Sequence, residues 1–116
     1  MKQYDVYLAD LSLREGSHVQ GGKRPVVVMS VDSDASDVVT IIPLTKQLEK
    51  RHKPAHALII GERLSGESLA LADHMLTVDK PVLLHQIGRI SDPLDQRTLN
   101  LACLAHLGLA TISLNT

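Results

Sequence analysis

Gly21-Gly22-Lys23-Arg24-Pro25-Val26-Val27-Val28-Met29-Ser30 is a turn running straight into a strand. A glycine pair lets the backbone reverse without a Cβ penalty. Pro25 fixes its own φ and brings no N–H donor. The apolar run behind it, bounded by a turn signal, reads as a buried strand. Arg24 is therefore pinned where a loop meets a sheet. A guanidinium held there can grip two phosphate oxygens with its planar fork of donors. Taken alone, the segment fits a solvated charge beside a turn just as well.

Working outward, residues 4–11, 25–31, 38–44 and 56–60 are short runs rich in β-branched residues, separated by polar or glycine-containing turns, and are predicted strands. Ser12 to Lys23 forms a first long loop, carrying Arg14, Glu15, His18 and Gln20. Lys46 to Pro54 forms a second, where Lys46, Lys50, Arg51, His52 and Lys53 face a single Glu49. Such a loop is either a solvated charge cluster or, directly after Thr45, a track for phosphates. Residues 68–78 are predicted as one long strand bent near Asp73-His74. Residues 82–90 are read as a short helical turn giving way to a strand at Ile87–Ile90. Asp92 is the expected N-cap of a closing helix of about four turns, with Pro93 at its first position and Asp95 in its first turn. Positions 94, 101, 104, 105 and 108 are expected to form the stripe against the sheet. Many short strands closed by one helix predict a mainly β domain, residues 1–116, shaped as a small, strongly curved barrel.

Composition narrows the function classes. Hydrophobic residues make up 44% of the 116, yet there is no Phe, no Trp and only two Tyr, so the core must be built from Val, Ile, Leu and Ala. A chain of this length buries roughly two thirds of its unfolded surface. Only Tyr4 and Tyr7 could stack on bases, so nucleic-acid recognition would rest on hydrogen bonds and charge. With 12 basic and 13 acidic residues the net charge is −1, which argues against a protein that coats nucleic acid. A local cutting site remains compatible with it. Cys103 is the single cysteine, which fits a reducing cytoplasm. No signal peptide is expected, and no apolar run approaches the ~18 residues of a membrane span.

Four stretches in order carry a resemblance. They are Tyr4-Asp5-Val6-Tyr7-Leu8-Ala9-Asp10-Leu11; Gly16-Ser17-His18-Val19-Gln20 leading into Arg24-Pro25; Val38-Val39-Thr40-Ile41-Ile42-Pro43-Leu44-Thr45; and Glu67-Ser68-Leu69-Ala70-Leu71-Ala72-Asp73 through Leu76-Thr77-Val78-Asp79-Lys80. In that order and spacing the chain resembles the MazF/PemK family of mRNA interferase toxins, over nearly its whole length. The resemblance implies an SH3-like barrel of the MazF/PemK/CcdB kind. It implies a homodimer that cuts single-stranded RNA without a metal or other cofactor and is silenced by an antitoxin. Arg24 and Thr45 match the family's catalytic pair. Ser17, His18, Gln20, Lys46, Lys53 and His74 are the further candidates for RNA contact.

The chemistry suits these residue types. If the 2′-hydroxyl attacks the adjacent phosphorus, the protein must stabilise extra negative charge on the phosphorane, and preset donors usually contribute most. Arg24 can do so and can give a proton to the leaving oxygen, but its pKa above ~12 makes it a poor base. The Thr45 hydroxyl can hydrogen-bond a phosphoryl oxygen, or simply its own loop. His18 or His74 could supply a base near neutral pH. His52 and His56 are four apart, but Pro54 between them bars the helix that would align them for a metal. His85 and His106 read as structural or surface residues.

The chain departs from the family at several points. The Gly16–Gly22 loop is longer than the usual Gly-Ser-Glu-Gln-x-Gly, His74 replaces a glutamine, Leu76 a frequent arginine and Tyr4 a frequent glycine. These changes admit a second reading, a non-catalytic binding protein on the same scaffold. A gyrase poison of the CcdB kind would need a C-terminal tryptophan, which is absent.

Overall fold

The computed structural model describes residues 1–12, 22–31, 35–50 and 53–110. Among these described residues there are seven strands: β1 (Asp5–Asp10), β2 (Lys23–Val28), β3 (Val38–Thr45), β4 (His56–Ile59), β5 (Ser68–Leu71), β6 (Leu76–Asp79) and β7 (Leu83–Arg89). Helix α1 (Pro93–Leu107) follows. The antiparallel sheet has the order β4-β5-β3-β2-β1-β7, with β6 also on β3. One edge of β3 takes β2, while the other takes β6 at Val38–Ile41 and then β5 at Leu44–Thr45. Changing partners along one strand curves the sheet strongly. The sheet stops short of closure, although Glu62 and Arg89 exchange both backbone hydrogen bonds, at 2.7 and 3.2 Å, and bring its two ends near each other.

Alternation explains the valine run. Val27 enters the core shared by Val6, Ile42, Leu44, Ala70 and Leu99, while Val26 and Val28 enter a second core with Ala9, Leu11, Ile41 and Val78. A strand buried on both faces loses the apolar–polar alternation of a half-exposed one. At the strand's entry Gly22 has φ +78°, a left-handed conformation suited to glycine.

The helix start is as read from the sequence. Asp92 accepts from the Leu94 N–H at 2.9 Å, and Pro93 holds the first position. Asp95 accepts from the Ile60 N–H at 3.1 Å, tying the first turn to the end of β4. Gly108, at φ +69°, caps the other end.

Three expectations are corrected. Residues 68–78 are two strands separated by a 3-10 turn at Ala72–His74, because Ala72 N–H bonds Ala55 and Met75 N–H bonds back to Ala72. The second segment then pairs with the opposite half of β3. Residues 83–89 form one strand along β1, preceded by a 3-10 turn at Lys80–Val82, so the strand begins four residues earlier than expected. The expected helix stripe is largely exposed: Leu94 is 72% accessible, Leu101 39% and Leu104 36%, and Gly108 lies past the last turn. Leu99, Ala102 and Cys103 face the sheet instead. At 100° per residue these lie on the opposite side of the helix. Apolar residues ring most of α1, so periodicity alone did not choose between the two stripes.

Candidate active site

Strand pairing brings the two central residues together. Arg24 lies inside β2, opposite Ala9 of β1, rather than on the loop's edge. The β2–β3 pairing runs from Val28↔Ile41 to Val26↔Pro43, and continuing that register by two residues sets Arg24 across from Thr45. The pairing itself stops at Val26↔Pro43, two residues short of Arg24, where Pro25 and Pro43 lack N–H donors. Where the ladder stops, a depression of about 270 Å³ opens, lined by Arg24, Pro25, Leu44, Thr45, Lys46, Gln47 and Ser68.

Thr45 is 95% buried by its neighbours, with 5% of its surface accessible, and its Oγ1 accepts from the Gln47 N–H at 3.1 Å. The loop-bonding role expected of a strand-end threonine is therefore real. It also orients the hydroxyl, whose own hydrogen remains available to donate. Arg24 is half-buried, with its backbone held in the ladder. A guanidinium and an oriented hydroxyl lining one depression can hold a phosphoryl group and take up charge that develops on it.

The other candidates divide. Lys46 lines the depression, but its Nζ donates to the Glu67 carbonyl at 3.0 Å and to the Ser65 carbonyl, bracing the β4–β5 connection. Lys53 and His74 belong to a separate group around Asp73. Lys53 Nζ lies 3.4 Å from Asp73 Oδ2, His56 Nε2 3.0 Å and His74 Nε2 4.0 Å from Oδ1. Burial pushes the Asp73 carboxyl up, yet the charges of His56 and His74 and hydrogen bonds from His56 and Lys53 outweigh it, leaving the pKa below its ordinary value. Ser17, His18 and Gln20, and also Arg51 and His52, lie outside the described residues. Among the described residues no group of three His, Cys, Asp or Glu side chains could hold a metal ion.

Sequence reasoning missed Ser68 and the His56–Asp73 pair. A lone polar residue opening the buried run Ser68-Leu69-Ala70-Leu71-Ala72 was the available signal for the first. The second joins β4 to the turn after β5, which no spacing along the chain reveals. The Leu76 departure has a structural account: it pairs with Ile41 in β6 and packs against the second core.

Fold and site together define a small curved-sheet protein with an arginine-and-hydroxyl pocket of the kind that holds an oxyanion. The chain belongs to the PemK-like, MazF-like toxins of type II toxin–antitoxin systems, whose family model matches residues 2–101. It is 36% identical over 116 residues to the Endoribonuclease MazF of Staphylococcus saprophyticus, covering 97% of this chain and 95% of the relative. Its fold matches an endoribonuclease in complex with its cognate antitoxin from a mycobacterial species, with a TM-score of 0.77, 23% identity and coverage of 96% and 98%. It also matches MazF from Deinococcus radiodurans, with a TM-score of 0.77, 18% identity and coverage of 93% and 96%. No described helix is long and apolar enough to cross a membrane.

Proposed function

We propose that this chain is the endoribonuclease toxin of a toxin–antitoxin pair, cutting single-stranded RNA in the cytoplasm as a homodimer. The observation that carries the reading is the meeting of Arg24 and Thr45 in one depression, in a chain whose relative is an endoribonuclease. The substrate's 2′-hydroxyl gives its proton to solvent water as its oxygen attacks the adjacent phosphorus, the bond from phosphorus to the 5′-oxygen breaks, and a 2′,3′-cyclic phosphate and a 5′-hydroxyl result. Arg24 takes up the phosphorane charge and offers a proton to the departing oxygen. Thr45 donates to a phosphoryl oxygen. The departures at His74 and Leu76 leave this pair untouched.

The partner follows from the same surface. An acidic, disordered antitoxin tail suits a cationic pocket because it can fold along an extended surface and place carboxylates where phosphates would lie. Tail and RNA should therefore compete, and tail binding should weaken as salt rises.

The test is to map the ends of a long mixed-sequence RNA after incubation with the purified protein, with and without EDTA. Cuts at a recurring short sequence, bearing 5′-hydroxyl ends and persisting in EDTA, are expected. Arg24→Ala from the same purification controls for contaminating nucleases. Cleavage lost on chelation and restored by magnesium would overturn the metal-free mechanism.

A further inference from the structure

We propose that Ser68 is a third substrate-contacting residue, whose hydroxyl donates to a non-bridging oxygen of the phosphate held by Arg24 and Thr45. The proposal rests on the endoribonuclease reading above.

Ser68 opens β5. It pairs with Ile59 of β4, and the next residues, Leu69 and Ala70, pair with Thr45 and Leu44 of β3. The serine is thus fixed at the end of the strand beside Thr45. Only 4% of its surface is accessible, and the four residues after it are apolar and buried. A hydroxyl in such a place ordinarily bonds a neighbouring carbonyl, since leaving a buried polar group unpaired is costly. Ser68 has no side-chain hydrogen-bond partner among the described residues. Yet no described side-chain oxygen or nitrogen is sealed from solvent without a partner, so the Ser68 oxygen is not sealed in. It opens onto the depression that it lines with Arg24 and Thr45.

The neighbouring polar groups are differently placed. Thr45 already accepts from Gln47, and Lys46 is drawn to two carbonyls. Ser68 keeps its donor and its acceptor capacity for whatever enters. One polar group from each of β2, β3 and β5 therefore reaches the same small space, and each stands on a strand rather than on a loop. Donors fixed this way need no reorganisation when charge develops on a phosphate. A hydroxyl bonding a charged oxygen contributes more than one bonding a neutral partner. The chemistry favours phosphate over a base, because serine donates and accepts equally and so reads no base edge selectively.

Ser68→Ala removes one oxygen from a site where it has no partner among the described residues, so the thermal midpoint should match wild type. On a short RNA containing a mapped site, single-turnover cleavage by Ser68→Ala should be about 10- to 100-fold slower, as for a lost hydrogen bond to a charged group. The same RNA with sulfur at either non-bridging position of the scissile phosphate gives the specific readout. Wild type should be slowed more by one diastereomer, and Ser68→Ala should lose most of that difference. Wild-type cleavage rates in Ser68→Ala overturn the proposal. A slower variant that keeps the full sulfur effect also overturns it, placing the hydroxyl on the sugar or base. Arg24→Ala, run alongside, separates the two levels. If it cuts like wild type, or if wild type does not cut, the endoribonuclease reading fails and takes Ser68 with it. If only Arg24→Ala is dead while Ser68→Ala is normal, the Ser68 assignment alone falls.

Discussion

The two ends of β5 treat their polar groups in opposite ways. At its start, Ser68 lines a depression beside Arg24 and Thr45, with no partner for its hydroxyl among the described residues. Just past its end, Asp73 is engaged by Lys53, His56 and His74 within 4.0 Å. One end leaves polar groups around a depression, and the other pairs a carboxylate with neighbouring cations. On the proposed function, the difference assigns one end of a short strand to the substrate and the other to stability. It also changes the reading of the basic loop. Of its lysines, Lys46 lines the depression while donating to backbone carbonyls, and Lys53, with 65% of its side chain accessible, lies 3.4 Å from a carboxylate.

The largest effect should come from the presenting end. Arg24→Ala should slow RNA cleavage by on the order of 10³-fold, the scale set by other arginines that clamp a transferring phosphoryl group. Arg24→Lys should also fail badly, since an ammonium lacks the planar fork. Circular dichroism should be unchanged, and wild-type rates in either variant would break the contrast at its root. Thr45→Ala should cost on the order of 10²-fold in cleavage, as for loss of one oxyanion donor. Thr45→Ser should retain more activity in the same single-turnover assay, and the reverse order would remove the hydroxyl argument.

At the neutralising end the effect should appear in stability. Asp73→Ala leaves the His56 ring, 7% exposed, without its carboxylate, which should cost about 1–3 kcal/mol in a denaturant titration. The pH dependence follows from the lowered carboxyl pKa. A carboxylate whose folded pKa lies below its unfolded value stabilises the fold above the ordinary value of about 3.9. That stability is lost as pH falls through the depressed value. The stability gap between wild type and Asp73→Ala should therefore be full at pH 7 and shrink below about pH 4. A constant gap would mean that packing, not charge, accounts for the loss. The smallest effect is expected for Lys53→Ala, because an exposed ion pair contributes about 0–1 kcal/mol. Its cleavage rate should stay near that of wild type, because Lys53 does not line the depression that holds Arg24 and Thr45. A tenfold drop would return the basic loop to the RNA path.

Much of the architecture was legible because it is local chemistry. Asp92-Pro93 announces a helix start through a carboxylate cap and a fixed φ, and Gly22-Lys23-Arg24-Pro25 announces a turn into a strand. The valine run had to be buried somewhere, since nothing in it can meet water favourably. Residues 4–11, 38–44 and 56–60 became strands within a residue or so of where β-branched content put them. Arg24 and Thr45 were legible as residue types suited to one chemistry. Their meeting was not, because twenty residues separate them and only the antiparallel register of β2 on β3 closes that gap. The divided 68–78 segment, the face α1 turns inward and the hydroxyl of Ser68 were likewise decided by tertiary structure. Each depends on which non-neighbouring surface arrives: Ala55 to break the strand, the curved sheet to select Leu99, Ala102 and Cys103, and β3 to place Ser68 beside Thr45. Propensity and capping act over a few residues, whereas a site is made where distant strands end side by side.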